Sequence, residues 1–536
     1  MARDHARGVV IALFFVAIST LIPHPAWAQA SGTLPPLDPA YRDLAFLEAH
    51  NLTPRGLSSL RPLSYGRVAW LVRDARLWLA ANPREAGAVH SDLVAVLARL
   101  ERRFSGEALT RSEFTAELEA GGGRSPGRRL ADNGIGSADM VLNPLWANRG
   151  GRAYGDEATG AVGGRATMRV ASSIAIGVAG RISALRASGA EPGRRGGALE
   201  AAYLRARVGR FAVQLGRDTW WQTAQTLGTS LSFSGNAPPV DLVRVGTDHP
   251  LTMFVLGDVE LAATAADLGA NQNFPHARLF VFSMKSRPIP DLRLGLTIVN
   301  KQGGEGAPEA STADRVKDLS FVWDLFTEGT SFPFSDKMTG VQFHLTLPAF
   351  HRAELFGEVN LTDFDHRRVR TMMSTAAGYR MGFALRRLGD SGRHGLVAEG
   401  EWLGALMYRH EQFLSGMTVD GFAQGSNLGP DGRRLSLAYD YYAPTAAWGA
   451  EVRATYEARS IDRHERDRTT LPPIFRRAEA FPSEHRYRLH ARVRRWLGDR
   501  SGLALSGGVE RVSDFEHQSG AERTNFALLL HLWQTF

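Results

Sequence analysis

The sequence of 536 residues contains no cysteine. This absence excludes a disulfide framework, and it excludes any site in which a thiolate binds a metal or acts as a nucleophile. Lysine is also scarce, because almost all of the 63 basic residues are arginine. A formal net charge of +8 often indicates nucleic acid, but the amino terminus predicts export, so we expect no such partner. Basic groups that face lipopolysaccharide or an acidic glycan fit an exported chain better.

Long apolar runs are absent after the first 30 residues, because Arg, Asp, Glu or Gly interrupts each run before it reaches spanning length. The amino terminus carries one such run at residues 9–22, preceded by arginines and followed by Ala-Trp-Ala-Gln-Ala at residues 26–30. This order is typical of a secretory signal peptide, here residues 1–28, with cleavage after Ala28 or Ala30. We therefore expect an exported chain, either secreted or a membrane barrel.

Residues 31–120 are predicted to form a periplasmic helical bundle. Asp38-Pro39 is a typical helix start, and Ser64 can cap a second helix whose apolar residues recur at helical spacing. A third helix repeats that spacing, and the capping box at residues 110–113 predicts a short fourth helix that the glycines 121–123 end. Each helix has one apolar stripe, so we expect the four to pack together.

From residue 165 to the end, apolar and polar residues alternate with a period of two, as in Leu435, Leu437, Tyr439 and Tyr441. Many strands with one apolar and one charged face, without helical crossovers, predict an all-β transmembrane barrel of 16 to 18 antiparallel strands. A soluble β-sandwich would also alternate, but aromatic residues at strand ends and uneven connections favour the barrel. We therefore assign residues 165–536 to an outer-membrane barrel and residues 121–164 to a linker or first barrel turn.

The carboxyl-terminal strand ends on an aromatic residue. Phe526, Leu528, Leu530 and Leu532 share one face with Phe536, the last residue. Such a closing strand resembles the carboxyl-terminal signal of bacterial outer-membrane proteins, which their assembly machinery recognises. We therefore expect three partners for the barrel: that machinery, outer-membrane lipid and lipopolysaccharide.

The sequence offers little support for catalysis or metal binding. A Gly-x-Ser-x-Gly elbow is missing from the barrel region, and carboxylates such as Glu399 and Glu401 are best explained as polar filling of a lumen. Asp363, Asp365 and His366 have metal-ligand chemistry, but a polar loop explains them better. We expect no enzymatic activity, no metal and no cofactor; an outer-membrane lipid or glycan hydrolase is the weakest alternative.

Two adjacent tryptophans stand where an alternating strand becomes a long polar loop. Sugar rings offer C–H patches to aromatic faces and hydroxyl groups to carboxylates and amides, so the residues around this pair are our candidate polysaccharide-binding site. Adjacent strand residues point to opposite faces, so one ring can anchor while the other stacks. Packing of both rings in an aromatic girdle is the alternative. The candidate residues are Trp220, Trp221, Asp218, Gln222 and Asn236.

This stretch also carries a family resemblance. Gly216-Arg-Asp-Thr-Trp-Trp, followed by Ser230-Leu-Ser-Phe-Ser-Gly-Asn-Ala-Pro-Pro, resembles the Wzi family of capsule-assembly outer-membrane proteins. The chain departs from the family where Gln222-Thr223 replaces the Gly-Pro that commonly follows the tryptophan. The resemblance implies an eighteen-stranded barrel, closed at its periplasmic end by helices, that acts as a non-enzymatic surface lectin and retains capsular polysaccharide.

The tight turn predicted at Gly209 gives an expected orientation. If this turn and the helices are periplasmic, the strand ending at Gly216 runs outward, and residues 220–240 reach the cell surface. We therefore predict an outer-membrane surface lectin that binds and anchors capsular or extracellular polysaccharide. A porin-like channel for oligosaccharides or other solutes is the alternative.

Overall fold

A computed structural model describes residues 30–536, except 54–59, 84–86, 105–111, 126, 131, 156, 187–193, 223–229, 320–333, 363–372, 390 and 468–473. The predicted signal peptide and the Asp363, Asp365 and His366 group lie outside the described residues.

Eighteen antiparallel strands of the described chain close into one barrel, as the alternation predicted. Each strand pairs with the next in sequence, and the last strand pairs with the first to complete the ring. The short strand Leu251–Met253 continues the sixth strand against its neighbour. The strands are β1 (Glu113–Arg124), β2 (Ala158–Ala171), β3 (Ile174–Arg186), β4 (Arg194–Val208), β5 (Phe211–Asp218), β6 (Val240–Thr247), β7 (Gly257–Asp267), β8 (Arg278–Ile289), β9 (Leu292–Gln302), β10 (Ser335–Leu347), β11 (Ala353–Thr362), β12 (Ala377–Leu388), β13 (His394–Leu403), β14 (Gly432–Ala443), β15 (Trp448–Arg459), β16 (Glu484–Trp496), β17 (Ser501–Ser513) and β18 (Glu522–Thr535).

The period-two pattern divides each strand between an apolar outer face and a polar lumen. On β14, Leu435 and Leu437 are exposed on the outer face, whereas Arg434 and Ser436 are buried inside. On β18, Phe526 and Leu528 point outward in the same way. Successive residues of a strand point to opposite faces, so the alternation fixes which side chains fill the lumen.

The predicted fourth helix is wrong, because its residues form barrel strand β1. This strand pairs with β2 on one side and with β18 on the other. The two strand edges would be unpaired without β1, and satisfying their backbone groups outweighs the local capping box. The helical region therefore ends at Phe104, and the barrel begins at Glu113, inside the segment assigned to the bundle.

The three other predicted helices are present as α1 (Ala40–Ala49), α2 (Tyr65–Ala81) and α3 (His90–Phe104). Ser64 caps α2 by accepting a hydrogen bond from the backbone N–H of Arg67, as predicted. The apolar faces of the helices share one core, which barrel residues Tyr442 and Trp496 complete. None of the helices in the described ranges has the length and apolar character needed to cross a bilayer.

The helices lie across the barrel end that carries the short turns. The connections at this end include two residues between β4 and β5 and two between β8 and β9. The helices contact strands on both sides of the mouth. In α2, Arg67 forms a 3.0 Å ion pair with Glu260 of β7, whereas Arg99 of α3 donates a 2.5 Å hydrogen bond to Tyr442 of β14. The bundle therefore spans the opening.

Longer connections fold inward at the opposite end and form what we call the cap, the described residues of 125–157, 219–239, 268–277 and 404–431. Apolar residues of these connections share a core with inward residues of the barrel wall, including Leu231, Phe233, Met407 and Tyr408. The cap reaches well-separated strands, since Gln222 bonds Thr297 of β9 and Arg149 bonds Ser506 of β17. Bundle and cap thus occupy the two ends of the lumen.

Candidate functional site

The predicted binding stretch lies inside the barrel. After β5 ends at Asp218, the chain turns into the lumen, and Trp221–Gln222 pairs antiparallel with Leu60–Arg61 of the segment before α2. This pairing joins the cap directly to the helical region. The expectation that residues 220–240 form a free surface loop is therefore wrong for the described part of that stretch.

The two tryptophans hold the loop that follows them. The Trp220 ring packs against Phe233, with ring centroids 4.9 Å apart, and Trp221 is only 5% exposed. Gly235 faces the indole of Trp221, so closely that a β-carbon at Gly235 would lie 2.5 Å from the Cη2 atom. The backbone N–H of Gln222 donates to the carbonyl of Phe233 at 2.9 Å. The motif therefore folds back on its own tryptophans.

The polar candidate residues are also buried and bonded within the protein. Asp218 accepts a 2.8 Å hydrogen bond from Gln214, and the side chain of Gln222 bonds Ser283 and Thr297 at 2.5 and 2.7 Å. Asn236 donates to the carbonyl of Ala423 at 3.2 Å. The structure thus brings the five predicted residues into one region, where their contacts fix the cap to the barrel wall.

Glu358 of β11 anchors the serine-rich part of the same loop. Its carboxylate accepts hydrogen bonds of 3.1 Å from the hydroxyls of Ser230 and Ser232. It also accepts from the backbone N–H groups of Leu231 and Ser232, at 3.0 and 3.1 Å. The Ser-Leu-Ser sequence therefore supplies four donors to one buried carboxylate, which explains the spacing of its hydroxyl groups.

Exposed polar side chains occupy the outer side of the cap, on a surface that sequence reasoning missed. We call it the cap face, and it consists of Asn271, Asn273, His276, Gln412 and Asp420. The side-chain amide of Asn271 donates to Asp420 at 2.9 Å, and that of Asn273 donates to the Gln412 carbonyl at 2.9 Å. Two connections about 140 residues apart in sequence form this surface, so no local sequence motif predicts it.

An aromatic pair neighbours the cap-face residues in sequence. Phe274 and Phe413 meet edge to face, with ring centroids 5.2 Å apart, directly beside Asn273 and Gln412 in sequence. Amide, carboxylate and imidazole groups donate and accept the hydrogen bonds that sugar hydroxyls require. Their exposure suits recognition of a polar surface such as a glycan.

The inward carboxylates considered for hydrolysis are all engaged. Glu354 pairs with Arg386 at 3.0 Å, Glu399 with Arg380 at 2.6 Å, and Glu401 with Arg434 at 2.9 Å. Glu358 accepts hydrogen bonds from the serine-rich loop described above. These groups fill the lumen as ion pairs and hydrogen-bond acceptors.

Three further groups with metal-ligand chemistry lie close together, but arginines bond the carboxylates among them. Glu117, Glu119 and His531 have ligand atoms within 4.8 Å of one another. Arg152 and Arg181 bond Glu119 at 2.9 and 2.5 Å. Two guanidinium groups in this position supply the positive charge that a metal would bring, so we interpret the cluster as an ion-pair network.

Between bundle and cap lies a lumen cavity of about 450 Å³. Arginine dominates its charged lining, and residues of the amino-terminal segment, the cap and nine or more strands contribute to it. This cavity is separate from the cap face.

Comparison with known proteins gives a family, and the solved structures of similar fold include a carbohydrate-binding barrel. The family model described as "Capsule assembly protein Wzi" matches residues 136–527. The Escherichia coli protein Wzi, described as an outer-membrane protein involved in group 1 capsule assembly and as a carbohydrate-binding β-barrel, has 15% identity. It superposes with a TM-score of 0.63 over 94% of this chain and 99% of that chain.

Other solved barrels are more distant. Pseudomonas aeruginosa OprD has a TM-score of 0.43 and 10% identity, over 79% of this chain and 95% of that chain. Pseudomonas aeruginosa OccD3 has a TM-score of 0.42 and 9% identity, over 79% and 91%. A search of curated proteins gives no match.

Proposed function

Because the chain belongs to the Wzi family of capsule assembly proteins, we propose that it is an outer-membrane barrel that binds and anchors capsular or extracellular polysaccharide. The family model covers residues 136–527, which include most of the barrel and the whole cap face. The similar fold of Escherichia coli Wzi, a carbohydrate-binding barrel, supports the same assignment. The main observation behind this proposal is that a chain of the Wzi family forms a barrel with packed protein at both ends of its lumen.

The closed lumen favours a binding protein over a channel. The bundle contacts both sides of one mouth, and the cap contacts well-separated strands at the other. A porin-like channel needs a continuous water-filled path, whereas these contacts fill the described lumen at two levels. Ligand binding is then expected on the outside of the cap.

The connection lengths support an orientation. In bacterial outer-membrane barrels the short turns face the periplasm and the longer loops face the exterior. The helices lie at the short-turn end and the cap lies at the other end. We therefore place the bundle in the periplasm and the cap face outside the cell, with the apolar outer face of the strands in lipid and lipopolysaccharide.

We further propose that the cap face contacts the polysaccharide, while Trp220, Trp221, Asp218, Gln222 and Asn236 act indirectly by holding the cap. The side chains of Asn271, Asn273 and Asp420 are exposed, whereas Trp221 and Gln222 are buried. A polymer too large to enter the lumen can reach only the first group.

The test measures polysaccharide retention on cells. A strain that lacks the chromosomal copy is complemented with the wild type, with N271A/N273A/D420A, or with E479A/E516A, which changes exposed acids on two other connections at the same end of the barrel. The cap-face variant should release several-fold more polysaccharide into the medium at equal barrel abundance, and the control should match the wild type. Equal retention by all three would reject the cap face as the binding surface.

A further inference from the structure

We propose that the lumen cavity contains an oxyanion-binding site formed by Arg149, Arg492 and Arg494. The ligand is a phosphate, sulfate or carboxylate group, either free or carried by a small sugar. This site lies between bundle and cap, away from the cap face, and it does not depend on the polysaccharide assignment.

Charge is unbalanced along the lumen side of β16. Near the cap, its inward side chains are neutralised, because Arg486 pairs with Glu510 at 2.9 Å and Arg488 pairs with Glu457 at 3.0 Å. Nearer the bundle, Arg492 and Arg494 make no ion pair within 4 Å among the described residues. The Nε atom of Arg492 is buried and has no hydrogen-bond partner in the described part of the chain.

The neighbouring strands do not supply the missing carboxylates. On β17, the register partners of Arg492 and Arg494 are Ser506 and Ala504, which carry no charge. On β15, Glu451 lies opposite Arg492 but forms its 2.8 Å ion pair with Arg453.

The remaining acid on that side is also engaged. Asp440 of β14 pairs at 3.1 Å with Arg42 of α1. Two acids and their two arginine partners therefore neutralise each other, and the positive charge of Arg492 and Arg494 remains uncompensated.

Arg149 of the cap adds a third guanidinium to the same place. It donates a 3.1 Å hydrogen bond to Ser506, the register partner of Arg492. Its guanidinium lies over the stacked rings of Trp146 and Tyr154, at 5.8 and 5.5 Å from their centroids. These contacts fix Arg149 in position, and it makes no ion pair with the described residues.

Three guanidinium groups around one cavity are suited to a single oxyanion. Inward residues two positions apart on a strand are about 7 Å apart along it, so Arg492 and Arg494 can bond one tetrahedral or planar anion from two sides. Arginine forks match carboxylate and phosphate oxygens. Without an anion, the like charges repel one another in a region of reduced dielectric, and a bound anion removes that repulsion. The cavity of about 450 Å³ also has room for a sugar that carries the anionic group.

Isothermal titration calorimetry tests the site on the full barrel in nonionic detergent at low ionic strength, with inorganic phosphate as the probe. We expect saturable binding to the wild type, at least tenfold weaker binding to R492Q/R494Q, and wild-type binding to R495Q. Arg495 is the matched control because it lies on the same strand but is exposed on the outer face. Failure of the wild type to bind, or equal binding by R492Q/R494Q, would overturn the proposal.

A second variant is expected to raise the affinity for phosphate instead of lowering it. The substitution E451Q deletes the acid opposite Arg492 and frees Arg453, so it should tighten phosphate binding several-fold. Weaker or unchanged binding by folded E451Q would contradict the charge argument.

Parallel titrations distinguish the ligand sources. Tighter binding of glucose 1-phosphate or glucuronate than of phosphate supports a sugar-borne anion, and the reverse order supports a free anion. Binding of neutral glucose with the same affinity would refute an oxyanion site.

Discussion

Gly235 lies against the indole ring of Trp221, at a distance that leaves no room for a side chain. Fourteen positions separate them in sequence, and Trp221 itself pairs with Arg61 of the segment before α2. This contact therefore links the cap, its own loop and the helical region. The Trp-Trp and Ser-Gly-Asn parts of the motif are two halves of one packed unit.

Substitution G235A should loosen the cap without disturbing the barrel. The added methyl group would lie 2.5 Å from Cη2 of Trp221, and such overpacking typically costs about 1–3 kcal/mol. Hydrogen exchange at residues 230–236 should speed up several-fold. The matched control is G160A, since a β-carbon at Gly160 meets nothing within 4 Å. Equal exchange in the two variants would show that this packing does not hold the loop.

Substitution E358Q should release the serine-rich segment of the same loop. A glutamine offers one acceptor oxygen instead of two, so donors among Ser230, Leu231 and Ser232 lose their partner, at about 1–3 kcal/mol for each buried group. Amide exchange at Leu231 and Ser232 should rise. In E354Q, which changes an acid near the other end of the strand, exchange at these two amides should stay as in the wild type.

Substitution R99Q should detach the bundle from the barrel. It leaves Asp43 without the guanidinium that bonds it at 2.6 and 2.9 Å in a buried setting, where breaking a pair costs about 3–5 kcal/mol. Protease cleavage within α1 and α3 should increase, whereas planar bilayers should stay nearly silent, because the cap still occupies the other end of the lumen. R76Q, which breaks a more exposed pair with Glu101, should cost about 1 kcal/mol or less and leave both readouts unchanged. Open-pore conductance of the wild type would argue for a channel.

Acid should weaken docking of the bundle through His50. Burial lowers the pKa of this imidazole to about 4, and its Nε2 atom lies 3.3 Å from the carbonyl of Gly392 in a barrel turn. An exposed histidine titrates near pH 6.5, so the detached state binds more protons between about pH 6.5 and 4. Docking stability should be constant above that window and fall within it by on the order of 3 kcal/mol.

The pH effect is measured as protease cleavage of α1 between pH 7.5 and 4. H50Q should flatten the profile, whereas H90Q, at an exposed histidine of α3, should keep it. A profile that H50Q leaves unchanged would assign the acid sensitivity to another group.

Much of this fold follows from the sequence because strand alternation is local. Residues such as Leu435 and Leu437 alternate with polar residues whatever their partners are, so the pattern predicts the strands, and aromatic strand ends with uneven connections favour a barrel over a sandwich. Strand β1 escaped prediction because its pairing with β2 and β18 is decided by residues up to about 400 positions away. Pairing of exposed strand edges outweighed the capping signal at residues 110–113.

The site was less predictable than the fold, for a related reason. The sequence singled out Trp220 and Trp221 as candidate polysaccharide-binding residues, but their burial depends on Gly235 and on the segment before α2. The cap face combines Asn271 and Asn273 with Gln412 and Asp420, and only the folded cap brings those two connections together. Local residue types identified side chains that hold the cap. Tertiary contacts determine which polar side chains reach solvent.

Direct binding of polysaccharide to the purified barrel tests the central claim most closely. Capsular or extracellular polysaccharide from the source strain is immobilised on a sensor surface, and full-length protein in detergent is passed over it. We expect saturable binding of the wild type and of E479A/E516A, and at least tenfold weaker binding of N271A/N273A/D420A. Absence of binding by the wild type, or equal binding by the cap-face variant, would contradict it.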